Sequence, residues 1–327
     1  MKVVALINAA AGVARGEDRP AAAREALRAA GVDADVRPTD ANDLAGQVRR
    51  VVNEGADMVI AGGGDGTVST VAGALVGSRA ALGVLPMGTL NHFARDLHVP
   101  PKLDLAARLI ADAVRAPDQF VRAVDIGEVN GRCFVNNASI GLYPHIISKR
   151  EKQQERLGRG KWLAMFVAIV AVFRRYPLLR VALEVEGETH PRVTPFVFVG
   201  NNRYEMNLMA AGARGCLDRG ELSLYFAHRT GRFGLLWLAL RGLFGRLDQA
   251  KDFEAVCLPA FAIETPKKTL KIAVDGEVTR MVPPLHFLVR PGALRVVAGA
   301  AARVNGVSGV TALPSQICNL KSQISNL

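Results

Sequence analysis

The chain is poor in residues that staple, span or stack. Its 327 residues include four cysteines, Cys133, Cys216, Cys257 and Cys318, with no CxxC pair and no zinc-ligand spacing. That excludes a disulfide scaffold and a zinc module, and implies reduced thiols in a cytoplasmic protein. No apolar run reaches the roughly 18 residues of a membrane-spanning helix. The longest, Trp162–Phe173, has 12 residues and is bounded by Lys161 and Arg174. At the N-terminus, Asn8 and Gly12 interrupt the apolar residues, and Arg15, Glu17 and Asp18 follow at once. A first buried strand over Val3–Ile7 fits this better than a leader peptide. Aromatic residues make up only 6%. No RNP-like string and no DNA-binding motif with aromatic interleaving occurs, which argues against a nucleic-acid partner.

What is present is a packable, basic chain. Half the residues are hydrophobic and 22% are charged, as in a globular protein. The length accommodates two domains. A formal net charge of +11 favours an anionic partner, such as a nucleotide's phosphates or an anionic bilayer surface.

The first third alternates short apolar runs with alanine-rich helical stretches. Strands are expected at Val3–Ile7, Ala34–Arg37, Met58–Ala61 and Leu82–Leu85, and helices at Pro20–Ala30, Asp43–Glu54 and Val68–Leu75. This alternation predicts right-handed βαβ units and a Rossmann-like parallel sheet, with ligands beyond the carboxyl ends of its strands. From about residue 123 the texture changes. Val121–Val129, Arg132–Ala138, Val181–Val185, Val193–Val199, Leu222–Phe226, Ala260–Glu264, Leu270–Val274 and Leu285–Val289 read as strands. Asn130-Gly131 and Asp275-Gly276 read as tight hairpin turns. The predicted organisation is an α/β nucleotide-binding domain over 1–122 and an antiparallel, sandwich-like β domain over 123–297. Helical insertions are expected near 150–176 and 231–250, and a loosely ordered tail over 298–327.

The most informative string is GGGDGT at Gly62–Thr67, between an apolar strand and a helix. Glycines there let backbone N–H groups approach phosphate oxygens, and a helix N-terminus adds positive potential. A dinucleotide fingerprint is excluded because Thr67 stands where the third glycine belongs, and a P-loop because no Gly-Lys-Ser/Thr follows. A carboxylate at Asp65 repels phosphate unless Mg²⁺ lies between them, which points to phosphoryl transfer from Mg-ATP.

Gly62–Thr67 resembles the GGDGT signature of the diacylglycerol kinase and sphingosine kinase catalytic-domain family, including its bacterial lipid kinases. MGTLNHFAR at Met87–Arg95, VDIGEVNGRCFVNNASIGL at Val124–Leu142 and VDGE at Val274–Glu277 resemble later family landmarks, in the family's order. Three positions depart from the pattern. The first loop, Asn8–Gly12, lacks the family's proline; His92 replaces an aspartate; and Arg219 precedes Gly220 where the family commonly has aspartate.

The resemblance implies an ATP- and Mg²⁺-dependent lipid kinase with its cleft between the domains. It places Asn8, Gly12, Thr39, Gly62, Gly63, Gly64, Asp65, Gly66, Thr67, Gly88, Thr89 and Asn91 around the nucleotide. It makes Glu277, Asp65 and Asp275 the catalytic carboxylates, with Glu277, just past the Asp275-Gly276 turn, the first choice for the base. Asp65 is the alternative, and Asp125 and Asp218 belong to the metal network. Basic residues from Lys149 to Lys161 lead into Trp162–Phe173, and Arg229, Arg232 and Arg246 flank Phe233–Phe244. Such segments suit peripheral attachment to an anionic membrane, and equally suit core helices with solvated ends. A soluble acceptor, a non-catalytic nucleotide sensor and a homodimer stay open on the sequence alone.

Overall fold

The structure, a computed structural model, describes residues 1–9, 18–39, 43–141, 178–203, 214, 216–227 and 253–299. Gly12, both basic–apolar segments with their expected helical insertions, and the tail beyond Gly299 lie outside the described residues.

The N-terminal part holds strands β1 (Val3–Asn8), β2 (Ala34–Thr39), β3 (Met58–Gly63) and β4 (Ala81–Pro86). With them run helices α1 (Arg19–Ala29), α2 (Leu44–Asn53), α3 (Asp65–Leu75), α4 (His92–Asp96), α5 (Leu103–Arg115) and α6 (Pro117–Phe120). The four strands are parallel in the order β2-β1-β3-β4. All of β3 is buried, which suits its unbroken apolar sequence to a sheet covered on both faces. Asp18 caps α1 by accepting from the Ala21 N–H at 3.0 Å. Helix α2 buries Leu44, Val48 and Val51 along one stripe. β1 pairs with β2 on one side and β3 on the other. The strand order therefore reverses direction beside β1, where such sheets open a crevice.

The remaining strands are β5 (Val121–Val129), β6 (Arg132–Phe134), β7 (Asn137–Gly141), β8 (Leu179–Val185), β9 (Glu188–Thr194) and β10 (Phe196–Asn201). They continue as β11 (Leu222–Ala227), β12 (Phe253–Leu258), β13 (Ala260–Glu264), β14 (Leu270–Val274), β15 (Glu277–Met281) and β16 (Leu285–Val297). Six form a separate antiparallel sheet in the order β12-β11-β10-β7-β14-β15. The others extend the first sheet past β4 as β16-β13-β8-β9, with β5 paired on β16 and β6 on β5. The architecture is α/β joined to an antiparallel β unit, as the sequence implied.

The two units share strands. β5 contributes Val124 and Ile126 to the α/β core and Val129 to the β core. β16 starts in the β core with Leu285 and Phe287 and ends in the α/β core with Leu294 and Val296. Its register shifts between Arg290 and Leu294, a bulge that contains Gly292 at φ +58°.

Four expected elements change. Arg132–Ala138 is not one strand: it breaks after Phe134, and β6 and β7 enter different sheets. The backbone N–H groups of Val135, Asn136 and Asn137 turn to the Asp275 carboxylate instead of a ladder. Val193–Val199 breaks at Pro195, which cannot donate to a ladder, giving β9 and β10. Helix α3 starts at Asp65, three residues before Val68, and β16 runs on to Val297. The turns at Asn130-Gly131 and Asp275-Gly276 form as expected, both residues of each having positive φ.

Candidate active site

The carboxyl ends of the parallel strands carry most of the residues assigned to the nucleotide. Asn8 and Thr39 pair at the ends of β1 and β2, and the Asn8 Nδ2 donates to Thr67 Oγ1 at 3.1 Å. Gly62 and Gly63 end β3, and Gly64 precedes the first turn of α3. The Val68 N–H closes that turn on the Gly64 carbonyl at 3.1 Å. The earlier N–H groups of the helix have no intrahelical acceptor, which is the local condition for holding phosphate oxygens.

Close packing explains the glycines better than freedom of φ does. A methyl group on Gly62 would stand 2.4 Å from Ile7 Cδ1, and one on Gly63 would stand 2.5 Å from Thr67 Oγ1. A methyl group on Gly88 would lie 2.5 Å from Gly64 Cα and 2.7 Å from Asn91 Oδ1. The two loops thus touch backbone to backbone. Asn91, at φ +48°, closes the second loop on itself: its Oδ1 accepts from the Gly88 N–H at 3.0 Å and its Nδ2 donates to the Gly88 carbonyl at 2.8 Å. Thr89 is exposed beside it. Gly88→Ala should therefore cost about 1–3 kcal/mol through overpacking and weaken nucleotide binding as the loops separate. Thermal unfolding and nucleotide titration check both, and an unchanged pair of values would refute the contact.

Asp275 and Glu277 emerge from one turn with opposite environments. Asp275 is buried, and its Oδ2 accepts from the Val135 N–H at 2.8 Å and from the Ser69 hydroxyl on α3 at 2.5 Å. Its Oδ1 accepts from the Asn136 and Asn137 N–H groups at 2.8 and 3.0 Å. Burial pushes its pKa up, and these four donors oppose the rise. Both oxygens are thus engaged in joining α3 to the β6–β7 break, a positioning role rather than proton transfer. Glu277 instead faces the cleft. A methyl group on Gly66 would lie 3.5 Å from its Oε1, and its Oε2 meets Arg132 Nη2 at 2.6 Å. Asp65 stands half-exposed in the first turn of α3, next to Gly66 in the chain.

The two carboxylates assigned to a metal also divide. Asp125 is buried; its Oδ2 accepts from the Gly220 N–H at 2.7 Å and its Oδ1 from the Gly292 N–H at 2.9 Å. Burial raises its pKa, against those N–H groups. It holds the β16 bulge from the middle of β5. Asp218 Oδ1 accepts from Cys216 Sγ at 2.7 Å, and its buried Oδ2 has no hydrogen-bond partner. That open oxygen fits a cation ligand. Among the described residues no group of three His, Cys, Asp or Glu could enclose a metal.

The sequence reading passed over Arg214 and Asp96. The Arg214 side chain is fully buried, with Nε 2.8 Å and Nη2 2.7 Å from Asp96 Oδ2 on α4. Its Nη1 donates to the Val135 carbonyl at 2.6 Å, its Nη2 to Asn136 Oδ1 at 3.3 Å, and the Phe93 ring lies beneath it at 5.6 Å. It ties the helix after the Gly88 loop to the same 135–137 break that Asp275 holds. Ser69 and Arg132 were missed as well, since nothing in their local sequence marks them.

A glycine loop at a sheet crevice, faced by an acidic turn from a second unit, defines a phosphotransferase cleft. Residues 2–127 match the diacylglycerol kinase catalytic domain. A Pseudomonas fluorescens protein named "Probable lipid kinase YegS-like" is 34% identical over 288 residues, covering 84% of this chain and 89% of that one. A Cronobacter sakazakii protein of the same name is 32% identical over 286 residues, covering 82% and 87%. A crystal structure of a diacylglycerol kinase from Bacillus anthracis str. Sterne matches with a TM-score of 0.65 at 22% identity, over 92% of this chain and 98% of that one. The chain belongs to the YegS-like lipid kinase family, built on the diacylglycerol kinase catalytic domain, and is a kinase.

Proposed function

We propose that the protein transfers the γ-phosphoryl group of ATP to the hydroxyl of a membrane lipid, diacylglycerol or a related lipid alcohol. The observation that carries this reading is the position of Glu277 Oε1, 3.5 Å from where a methyl group on Gly66 would stand, which sets a carboxylate over the loop suited to phosphates. The α3 N-terminus and the Gly63–Gly66 backbone receive the phosphates. Asn8, Thr67 and Gly88 shape the loop, and Glu277 orients the acceptor hydroxyl and takes its proton. Asp218 would hold Mg²⁺ through its open oxygen, and the ion would offset phosphate charge. Asp275, Ser69, Asp96 and Arg214 keep the turn and the loops in register.

The relatives' names support a lipid acceptor, and the net charge of +11 supports work at an anionic membrane surface, reached peripherally from the cytoplasm. Among the described residues no helix is long and apolar enough to cross a membrane. Incubation with labelled ATP, Mg²⁺ and a total lipid extract should yield a labelled phospholipid and little turnover without lipid. Turnover that needs a soluble acceptor and ignores vesicles would replace the lipid with that acceptor. Binding to anionic vesicles should weaken as salt screens the basic residues.

A further inference from the structure

Arg132 stands in the cleft beside both groups assigned to the chemistry. Its Nη2 is 2.6 Å from Glu277 Oε2, and the other oxygen of that carboxylate lies 3.5 Å from where a methyl group on Gly66 would stand. The Glu277 carboxylate thus lies between the guanidinium and the Gly66 position of the phosphate loop.

Its placement is built in. The Asn130-Gly131 turn joins β5 to β6 with Val129 opposite Arg132. Asn130 anchors that turn: its Nδ2 donates to the Val282 and Pro284 carbonyls and its Oδ1 accepts from the His286 N–H at 2.7 Å. Two residues beyond Arg132, the Phe134 ring fills the space over Gly127, where a methyl group would stand 2.3 Å from it. Cys133 Cβ faces Gly73 of α3. β6, which carries Arg132, is thus packed against α3.

The pair it makes is loose in energy and strong in chemistry. Its side chains are 38% and 58% exposed, and ion pairs open to solvent contribute little to stability. Opening it costs little. A guanidinium offers a planar fork of donors that suits phosphate oxygens. A carboxylate released by a guanidinium has both oxygens open to a hydroxyl donor.

We propose that Arg132 is a catalytic residue that exchanges partners. Without nucleotide it holds Glu277. With ATP on the glycine loop it donates to the non-bridging oxygens of the γ-phosphoryl group and leaves Glu277 free to face the acceptor hydroxyl. The acceptor oxygen–phosphorus bond forms as the bond from phosphorus to the β,γ-bridging oxygen breaks. ADP departs with that electron pair, the acceptor proton passes to Glu277, and Arg132 keeps its charge throughout. The exchange couples release of the base to arrival of the phosphoryl donor. It rests on the kinase reading and on Glu277 facing the acceptor.

The test uses the full chain as Arg132→Gln and Arg132→Lys, with ADP and the β,γ-imido analogue of ATP as calorimetric probes and kcat measured on lipid vesicles. In Arg132→Gln the analogue should bind about tenfold more weakly, the loss of a charge-assisted contact, while ADP affinity stays the same. kcat should fall by about tenfold or more. Arg132→Lys should recover part of the analogue's affinity. Equal losses for ADP and the analogue, or unchanged affinity for both, would overturn the proposal, as would an unchanged kcat. Should the parent phosphorylate no lipid, the proposed acceptor fails, while the calorimetry still decides whether Arg132 meets the γ-phosphate.

Discussion

Glu277→Gln should lower kcat by about 10²–10⁴-fold, the usual worth of a general base, with ATP affinity nearly unchanged. A lipid alcohol does not ionise at neutral pH, so its proton must go to a nearby group as the phosphorus bond forms. Glutamine keeps the size and a hydrogen-bonding oxygen but accepts no proton. The fold should survive, because Glu277 is 58% exposed and its pair with Arg132 lies at the surface. The rival assigns the base to Asp65, which also borders Gly66. It requires Asp65→Asn to carry the whole kinetic defect and Glu277→Gln to cost less than about tenfold. The geometry favours Glu277: it comes from the second unit and faces the loop, whereas Asp65 belongs to the loop itself, where its charge suits a bridging cation. Measuring kcat and ATP binding for both variants on one lipid separates the assignments.

Much of this arrangement was legible in the sequence because it is local. The β3–GGGDGT–α3 unit combines a buried apolar run, small residues and a helix start within a short span, and its fold follows from those pieces. The Asp-Gly and Asn-Gly turns were legible for the same reason, since few other dipeptides accept positive φ at both positions. The breaks were not. Residues 132–138 carry strand-like side chains throughout, and only a carboxylate from Asp275, 138 residues beyond Asn137, draws their N–H groups out of the ladder. The role of Asp125 was legible only in half: its place at a strand was visible, but the partners of its oxygens, Gly220 and Gly292, lie far along the chain. Pro195 was the exception, a local signal that should have divided Val193–Val199. Arg214 is the opposite case, because in sequence a buried arginine looks like any of the surface arginines of a basic chain.

Arg214→Met should destabilise the protein by about 3–5 kcal/mol, the cost of removing one partner from a buried ion pair. The Asp96 side chain is 7% exposed, so its carboxylate would be left charged and nearly dry. The Val135 carbonyl and Asn136 Oδ1 would also lose their donor. Asp96→Asn should cost less, since an amide oxygen still accepts from the guanidinium. Replacing both charges, as Asp96→Leu with Arg214→Met, should recover part of the loss, because apolar side chains tolerate the site better than one unpaired charge. Urea unfolding of the three variants gives these values, and a loss below about 1 kcal/mol for Arg214→Met would show that water reaches the pair. The pair also holds the 135–137 break from the side opposite Asp275, and so fixes the turn that presents Glu277. The doubly substituted protein, even where its stability recovers, should therefore keep a lowered kcat with little change in ATP affinity, since the loss falls on the placement of the base and not on the glycine loop.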